Sequence, residues 1–99
     1  MNMLLCKLMM AGVLCGSVLS HAQANVDALY KQSCATCHAA GVLGAPKTGD
    51  RAAWAKLMPK GMPALVQSTR NGYRNMPARG LCDSCTDADY AALIQFMAK

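Results

Sequence analysis

Cys34-Ala35-Thr36-Cys37-His38 constrains this chain more than any other stretch. Cysteines three positions apart lie on one side of a helical turn. Thiols so placed can add to the two vinyl groups of one porphyrin. The next residue then brings an imidazole beneath the iron as proximal ligand. A C-x-x-C is also compatible with a dithiol redox pair or with half of a zinc site. The rest of the chain decides among these readings.

The first 24 residues have the three-part plan of a secretory signal peptide. Met1 to Lys7 carries one basic side chain, Leu8 to Leu19 is apolar or small throughout, and Ser20-His21-Ala22-Gln23-Ala24 ends in A-x-A. Cleavage is expected after Ala24, leaving 25–99 as the mature domain. A retained membrane anchor is the competing reading, but the apolar run 8–19 falls short of the ~20 residues that span a bilayer. Cys6 and Cys15 leave with the leader. Cys15 follows Leu14 rather than a small residue, which argues against a lipid-modified N-terminus.

The mature chain is short enough for one domain with a thin core. A domain of that size usually needs a disulfide, a metal or a cofactor to hold it. Cys34, Cys37, Cys82 and Cys85 remain in it, and export places them in an oxidising compartment. The formal net charge of the whole chain is +5, of which one unit, Lys7, lies in the leader. All five acids are aspartates of the mature domain.

The pattern along the mature chain is helical. Asn25 is expected to cap a first helix, with Asp27 in its first turn. Val26, Leu29, Tyr30 and Ser33 share one face of it, and the helix runs straight into Cys34. Tyr30 reads as a core residue. Gly41, Gly44, Pro46 and Gly49 make 39–50 a loop. If a haem is present, the histidine nitrogen facing away from iron needs an acceptor, and the carbonyl of Pro46, held by a proline-fixed segment, is the candidate. Asp50 caps a second helix, Arg51 to Met58, ended by Pro59. Trp54 is its large residue, either plain core or with its indole N–H on a haem propionate. Gly61 opens a third helix with Pro63 in its first turn, and Asn71-Gly72 stops it. Residues 72–81 are irregular. Thr86 caps a last helix with Asp87 and Asp89 in its first turn, an apolar stripe of Tyr90, Leu93, Ile94 and Met97, and Lys99 at its end. No stretch alternates as a strand does, and no repeat or second domain is visible.

The two histidines of the chain are His21 and His38, so the mature domain offers His38 alone and bis-histidine ligation is excluded. A methionine thioether suits the sixth position of haem iron and raises its reduction potential. Met97 belongs to the core face of the last helix, and Met58 lies at a helix end. Met62 and Met76 both precede proline. Met76 sits in a loop far enough along the chain to reach the other haem face, which makes it the choice over Met62. If Met76 only packs, the iron is five-coordinate. Cys82-Asp83-Ser84-Cys85 has three readings. A zinc site shared with Cys34 and Cys37 would span 38–81, where zinc ribbons use about 15–20 residues, and would leave His38 without a role. A catalytic dithiol lacks its usual βαβ setting. The oxidising compartment favours a local disulfide that braces the end of the Met76 loop.

The helix that enters C-x-x-C-H, the downstream Met-Pro loop and the C-terminal amphipathic helix resemble a class I c-type cytochrome. More specifically, Gly44-Ala45-Pro46-Lys47, Gly49-Asp50-Arg51-Ala52-Ala53-Trp54, Met76-Pro77 and the pair Cys82/Cys85 resemble the cytochrome c5 group, and the resemblance spans nearly all of the mature chain. It implies an all-α fold of about four short helices around one covalently bound haem c, with the terminal helices crossing beside it. It further implies thioether bonds at Cys34 and Cys37, axial ligation by His38 and Met76, and a Cys82–Cys85 disulfide. The second Met-Pro pair, Met62-Pro63, departs from that pattern and bears on which methionine binds.

The expected function is therefore one-electron transport by a periplasmic monohaem carrier rather than catalysis. Lys47 to Lys60 and Arg70 to Arg79 contribute two basic groups of side chains that can steer a redox partner with an acidic docking surface, such as a terminal oxidase or a quinol-oxidising complex. The plain alternative is that they only solvate the surface and balance two propionates. Nucleic-acid binding is not expected, because the chain is exported and its positive charges are not interleaved with exposed aromatics. Membrane association is allowed by the resemblance but not required. The other functional readings are a haem subunit of a larger oxidoreductase and a five-coordinate haem sensor or enzyme.

Overall fold

The computed structural model describes residues 25–99. The leader, its cleavage after Ala24, Cys6 and Cys15 lie outside the described residues. Within 25–99 the chain is helical, with no strand among the described residues beyond one isolated bridge between Tyr73 and Met76.

The first helical stretch, α1, covers 25–38. Residues 25–29 are α-helical, Tyr30–Cys34 forms a wider π-type turn, and Ala35–His38 returns to α geometry. A π-turn takes in one more residue than an α-turn. It therefore offsets the register of the face carrying Leu29 and Tyr30 from that of Cys34, Cys37 and His38. Asn25 is already helical, so it is not the cap it was expected to be.

Helix α2 is Arg51–Leu57. Asp50 caps it, its Oδ1 accepting from Ala53 N at 3.1 Å. A tight turn, Met58–Lys60, follows with Pro59 inside it, so regular helix ends one residue earlier than the proline alone implied. Helix α3 is Met62–Asn71, with Gly61 as N-cap and Pro63 in its first turn. Helix α4 is Asp87–Met97. Thr86 and Asp89 form a reciprocal capping box: Asp89 N donates to Thr86 Oγ1 at 3.2 Å, and Thr86 N donates to Asp89 Oδ2 at 2.9 Å. Because α4 stops at Met97, Lys99 falls beyond the last turn and is not the dipole partner its charge suggested.

The core sits where α2, α3 and α4 converge. Trp54, Val66, Tyr90, Leu93, Ile94 and Met97 are buried, Leu93 to 1 % exposure. Burying each large apolar side chain contributes about 1.5–3 kcal/mol, so this short list carries much of the domain's stability. Helix α1 joins through Tyr30, whose ring lies 4.9 Å from that of Phe96 on α4.

Between α3 and α4 the chain makes an uncommon turn. Arg79, Gly80 and Leu81 have φ of 70°, 57° and 65°, three successive residues in the left-handed region. An L-residue with a side chain costs roughly 1–2 kcal/mol there, so the surroundings must hold the turn. Gly80 N donates to Pro77 O at 3.0 Å and Cys82 N to Arg79 O at 2.9 Å. The buried Tyr90 hydroxyl donates to Cys82 O at 2.9 Å.

Burial pushes the Tyr90 phenol above its ordinary value. The folded state thus holds this proton more tightly than the unfolded chain, and the associated stability is present below the ordinary tyrosine range and lost as pH rises through the higher folded value. Tyr90→Phe is expected to destabilise the protein by about 1 kcal/mol at neutral pH through the lost hydrogen bond. It is also expected to flatten the fall in melting temperature above about pH 10. Thermal melts of both proteins across that range check it.

Candidate functional site

A cavity of about 860 Å³ opens between α1, α3, α4 and the two irregular loops. Cys34, Cys37 and His38 line it from α1, Met76 from the 72–81 loop, and Leu65 and Leu93 from the core helices. Four side chains of three chemical kinds, separated in sequence by 42 positions at most, thus meet on one apolar space. Met62, the competing methionine, lies elsewhere: it borders a separate groove between α3 and the start of α4, beside Val66, Arg70 and Asp87.

His38 is buried at the end of α1, and its Nδ1 lies 2.8 Å from Pro46 O. A carbonyl has no proton to give, so Nδ1 is the protonated nitrogen and Nε2 keeps its lone pair free for a metal. This is the arrangement a histidine ligand needs, with tautomer and ring orientation set by the bond at the far nitrogen. Pro46 is the residue that the sequence singled out for this role.

The residues on either side of that bond are held as firmly. Trp54 Nε1 donates to Lys47 O at 2.9 Å. Thr48 N donates to His38 O at 2.8 Å, and Tyr30 OH donates to Thr48 Oγ1 at 2.9 Å. Gly49 N donates to Met97 O at 2.8 Å. Four consecutive residues are therefore tied to α1, α2 and α4. The indole N–H of Trp54 is engaged by this carbonyl, so of its two readings the buried core residue holds and the propionate partner does not. Position 54 faces the 46–49 segment because Asp50 starts α2 immediately after it. The Trp54 ring also stacks on the His38 imidazole, with centroids 5.9 Å apart.

On the other side, Tyr73 and Met76 exchange backbone bonds, Tyr73 N to Met76 O at 3.0 Å and Met76 N to Tyr73 O at 2.9 Å. The loop is pinned across the cleft by Asn75 Nδ2, which donates to Leu43 O at 3.1 Å. Neither Asn75 nor the π-turn of α1 was identified from sequence. An asparagine before Met-Pro reads as an ordinary loop residue, and no local residue pattern distinguishes a π-turn from an α-turn.

Cys82 and Cys85 do not line the cavity. They face each other with Cα atoms 5.4 Å apart, inside the range a disulfide spans, and pack against Tyr90 and the core. A four-cysteine zinc site is thus split between two places. Burial pushes the Cys34 thiol above its ordinary value. A dithiol nucleophile needs the opposite shift. Thiols paired on one helical turn, an imidazole with Nε2 free, a thioether, and an apolar space within the ~300–1,000 Å³ range of cofactor sites fit a haem joined through two thioethers.

Comparisons with known proteins agree with that chemistry. The family described as cytochrome C oxidase, cbb3-type, subunit III matches residues 21–97. Cytochrome c-555 of Chlorobaculum tepidum is 41% identical over 86 residues, which cover 83% of this chain and 80% of that protein. Cytochrome c5 of Ectopseudomonas mendocina is 37% identical over 75 residues, covering 74% of this chain and 86% of that one. Among solved structures, a mono-haem ferrocytochrome c from Shewanella putrefaciens is 44% identical and superposes with a TM-score of 0.68, covering 75% of this chain and 91% of that chain. A chain in the crystal structure of an electron transfer complex of nitrite reductase with cytochrome c is 37% identical with a TM-score of 0.66, covering 74% and 93%. The chain belongs to this cytochrome c family, whose members carry covalently bound haem. It is accordingly an electron carrier rather than an enzyme.

Trp54→Phe keeps the aromatic body and deletes the donor to Lys47 O. An unpaired carbonyl of this kind costs about 1–3 kcal/mol, and the loss is expected in chemical denaturation of the holoprotein. Trp54→Leu should be worse, because the stack on His38 goes as well.

Proposed function

We propose that the mature domain, 25–99, is a periplasmic monohaem c-type cytochrome that shuttles single electrons between redox proteins. The observation that carries this reading is the convergence of Cys34, Cys37, His38 and Met76 on one cavity, with His38 Nδ1 bonded to Pro46 O. When bound there, the haem supplies a reversible one-electron iron couple. Cys34 and Cys37 would hold it covalently, and His38 Nε2 and Met76 Sδ would bind its iron, leaving no coordination site for a substrate. The clamped 46–49 segment holds the imidazole in one orientation, which would keep the structural change on electron transfer small. The Cys82–Cys85 pair is a disulfide in this reading, supported by its geometry and by the oxidising compartment that the leader implies. Among the described residues no helix is long and apolar enough to cross a membrane.

The mouth of the cleft supports a partner with an acidic docking surface. Leu43, Leu81, Tyr73 and Val42 are exposed apolar residues that border it. Lys47, Lys56, Lys60 and Arg74 line the same opening. An apolar contact zone with a cationic surround favours fast, salt-sensitive encounter. The neighbour's complex with nitrite reductase makes a reductase one class of partner to consider, beside a terminal oxidase or a quinol-oxidising complex. A second reading, a haem subunit of a larger oxidoreductase, has one observation in its favour, the subunit description of the matching family. Its electron-transfer chemistry would be the same; size-exclusion chromatography of the exported protein separates the two.

Absorption spectra of the exported protein test the ligand set. Low-spin c-type bands, a weak far-red sulfur-to-iron band when oxidised, and indifference to carbon monoxide are expected. Met76→Ala should abolish the far-red band and admit carbon monoxide, and Met62→Ala should change neither. A wild-type spectrum that is high-spin and shifts with carbon monoxide would instead identify a ligand-binding haem. For docking, the bimolecular rate with an acidic redox partner should fall at least about tenfold from low to high salt. Lys56→Glu with Lys60→Glu should remove most of that dependence in stopped-flow measurements.

A further inference from the structure

The turn that precedes Cys82 contains a glycine whose missing side chain is occupied by the Met76 methyl. A Cβ built on Gly80 would stand 2.9 Å from Met76 Cε, closer than real Cβ contacts come, and 3.9 Å from Thr69 Cγ2. Gly80 also lines the cavity beside Met76. The turn cannot simply step back, because Tyr90 OH holds Cys82 O and Cys82 N holds Arg79 O. The φ of 57° at Gly80 lies between two other left-handed residues, so the segment has little freedom to adjust.

We propose that Gly80 is a positioning residue for the Met76 thioether. The bare Cα leaves a recess for the Met76 methyl and so sets the rotation about its Cγ–Sδ bond. Two fixtures then define the thioether. The Tyr73–Met76 backbone pair and the Asn75–Leu43 bond fix where the side chain starts, and Gly80 fixes where its methyl ends. The sulfur lies between them, one bond from the methyl: swinging the methyl about the Cγ–Sδ bond leaves the sulfur in place but turns its lone pairs, so the recess sets the direction in which the sulfur presents them. A Cβ at position 80 crowds the methyl and weakens the hold of the sulfur on its partner without removing any donor. This inference rests on Met76 as the axial ligand.

The test uses the exported holoprotein as wild type, Gly80→Ala, Gly61→Ala and Met76→Ala. Gly61 has φ 90° and does not line the cavity, and a Cβ there would meet only Pro63 Cδ at an ordinary 3.8 Å, so Gly61→Ala imposes positive-φ backbone strain without touching Met76 or the 46–49 segment. The readouts are the far-red band of the oxidised protein, the reduction potential and the dissociation constant of added imidazole. Gly80→Ala is expected to lose at least half of the far-red band, to lower the potential and to bind imidazole about tenfold more tightly, as an overpacked contact shifts such an equilibrium. Gly61→Ala is expected to lower the melting temperature and leave all three readouts at wild-type values. If Met76→Ala abolishes the band while Gly80→Ala matches wild type, the positioning role is overturned and the ligand assignment stands. If Met76→Ala retains the band, the ligand assignment itself has failed. If Gly80→Ala and Gly61→Ala change the three readouts alike, the effect is backbone strain and the recess has no special part.

Discussion

The hydrogen bond from His38 Nδ1 to the Pro46 carbonyl is the contact on which the rest of the molecule depends. It decides which imidazole nitrogen is free and in which direction it points. A bond to a loop carbonyl is only as rigid as the loop, and here the loop is held residue by residue. Lys47 O is taken by α2, Thr48 by α1 through both backbone and hydroxyl, and Gly49 N by the end of α4. The donors are an indole, a phenol and backbone amides, mostly in shelter from water, where such bonds are least exposed to competition. The helices therefore do not merely surround the cleft. Their ends and faces converge on one segment, which orients the His38 imidazole.

The opposite wall is built on another principle. The Met76 loop has little regular structure and relies on a reciprocal backbone pair, one side-chain bond across the cleft and a left-handed turn locked by Tyr90 and the Cys82/Cys85 region. Strained φ values persist only where the surroundings over-determine them. Their presence next to the methionine fits a thioether placed by steric confinement, whereas the imidazole opposite is placed by hydrogen bonding. The difference suits the ligands: a thioether sulfur is a weak acceptor and gives hydrogen bonds little to grip.

Much of this was legible in the residues. C-x-x-C-H defined the cofactor chemistry, the apolar stripe of α4 gave its buried face, and Asp50, Gly61 and Thr86 marked helix starts because capping is a local side-chain effect. Pro46 was legible because a ligand histidine demands an acceptor nearby. The misses share a cause. The Trp54 N–H was open to any acceptor, and only the folded path of 46–49 puts Lys47 O beneath it. The Asn75–Leu43 bond joins positions 32 residues apart, and the π-turn at Tyr30–Cys34 and the recess at Gly80 depend on backbone geometry that no residue pattern specifies. Nothing in local spacing encodes them.

Lys47 shows what such an arrangement permits. Its carbonyl works inward, accepting from Trp54, while its side chain lies on the exposed surface at the rim of the cleft. The inward task belongs to the main chain, which every amino acid shares. The charge at that point of the rim can therefore change from one lineage to the next while the bond beneath it stays as it is. Partner choice can then shift at the rim without disturbing the bonds that orient His38: a cytochrome of this build can change the charge it shows a partner and keep its imidazole where it was.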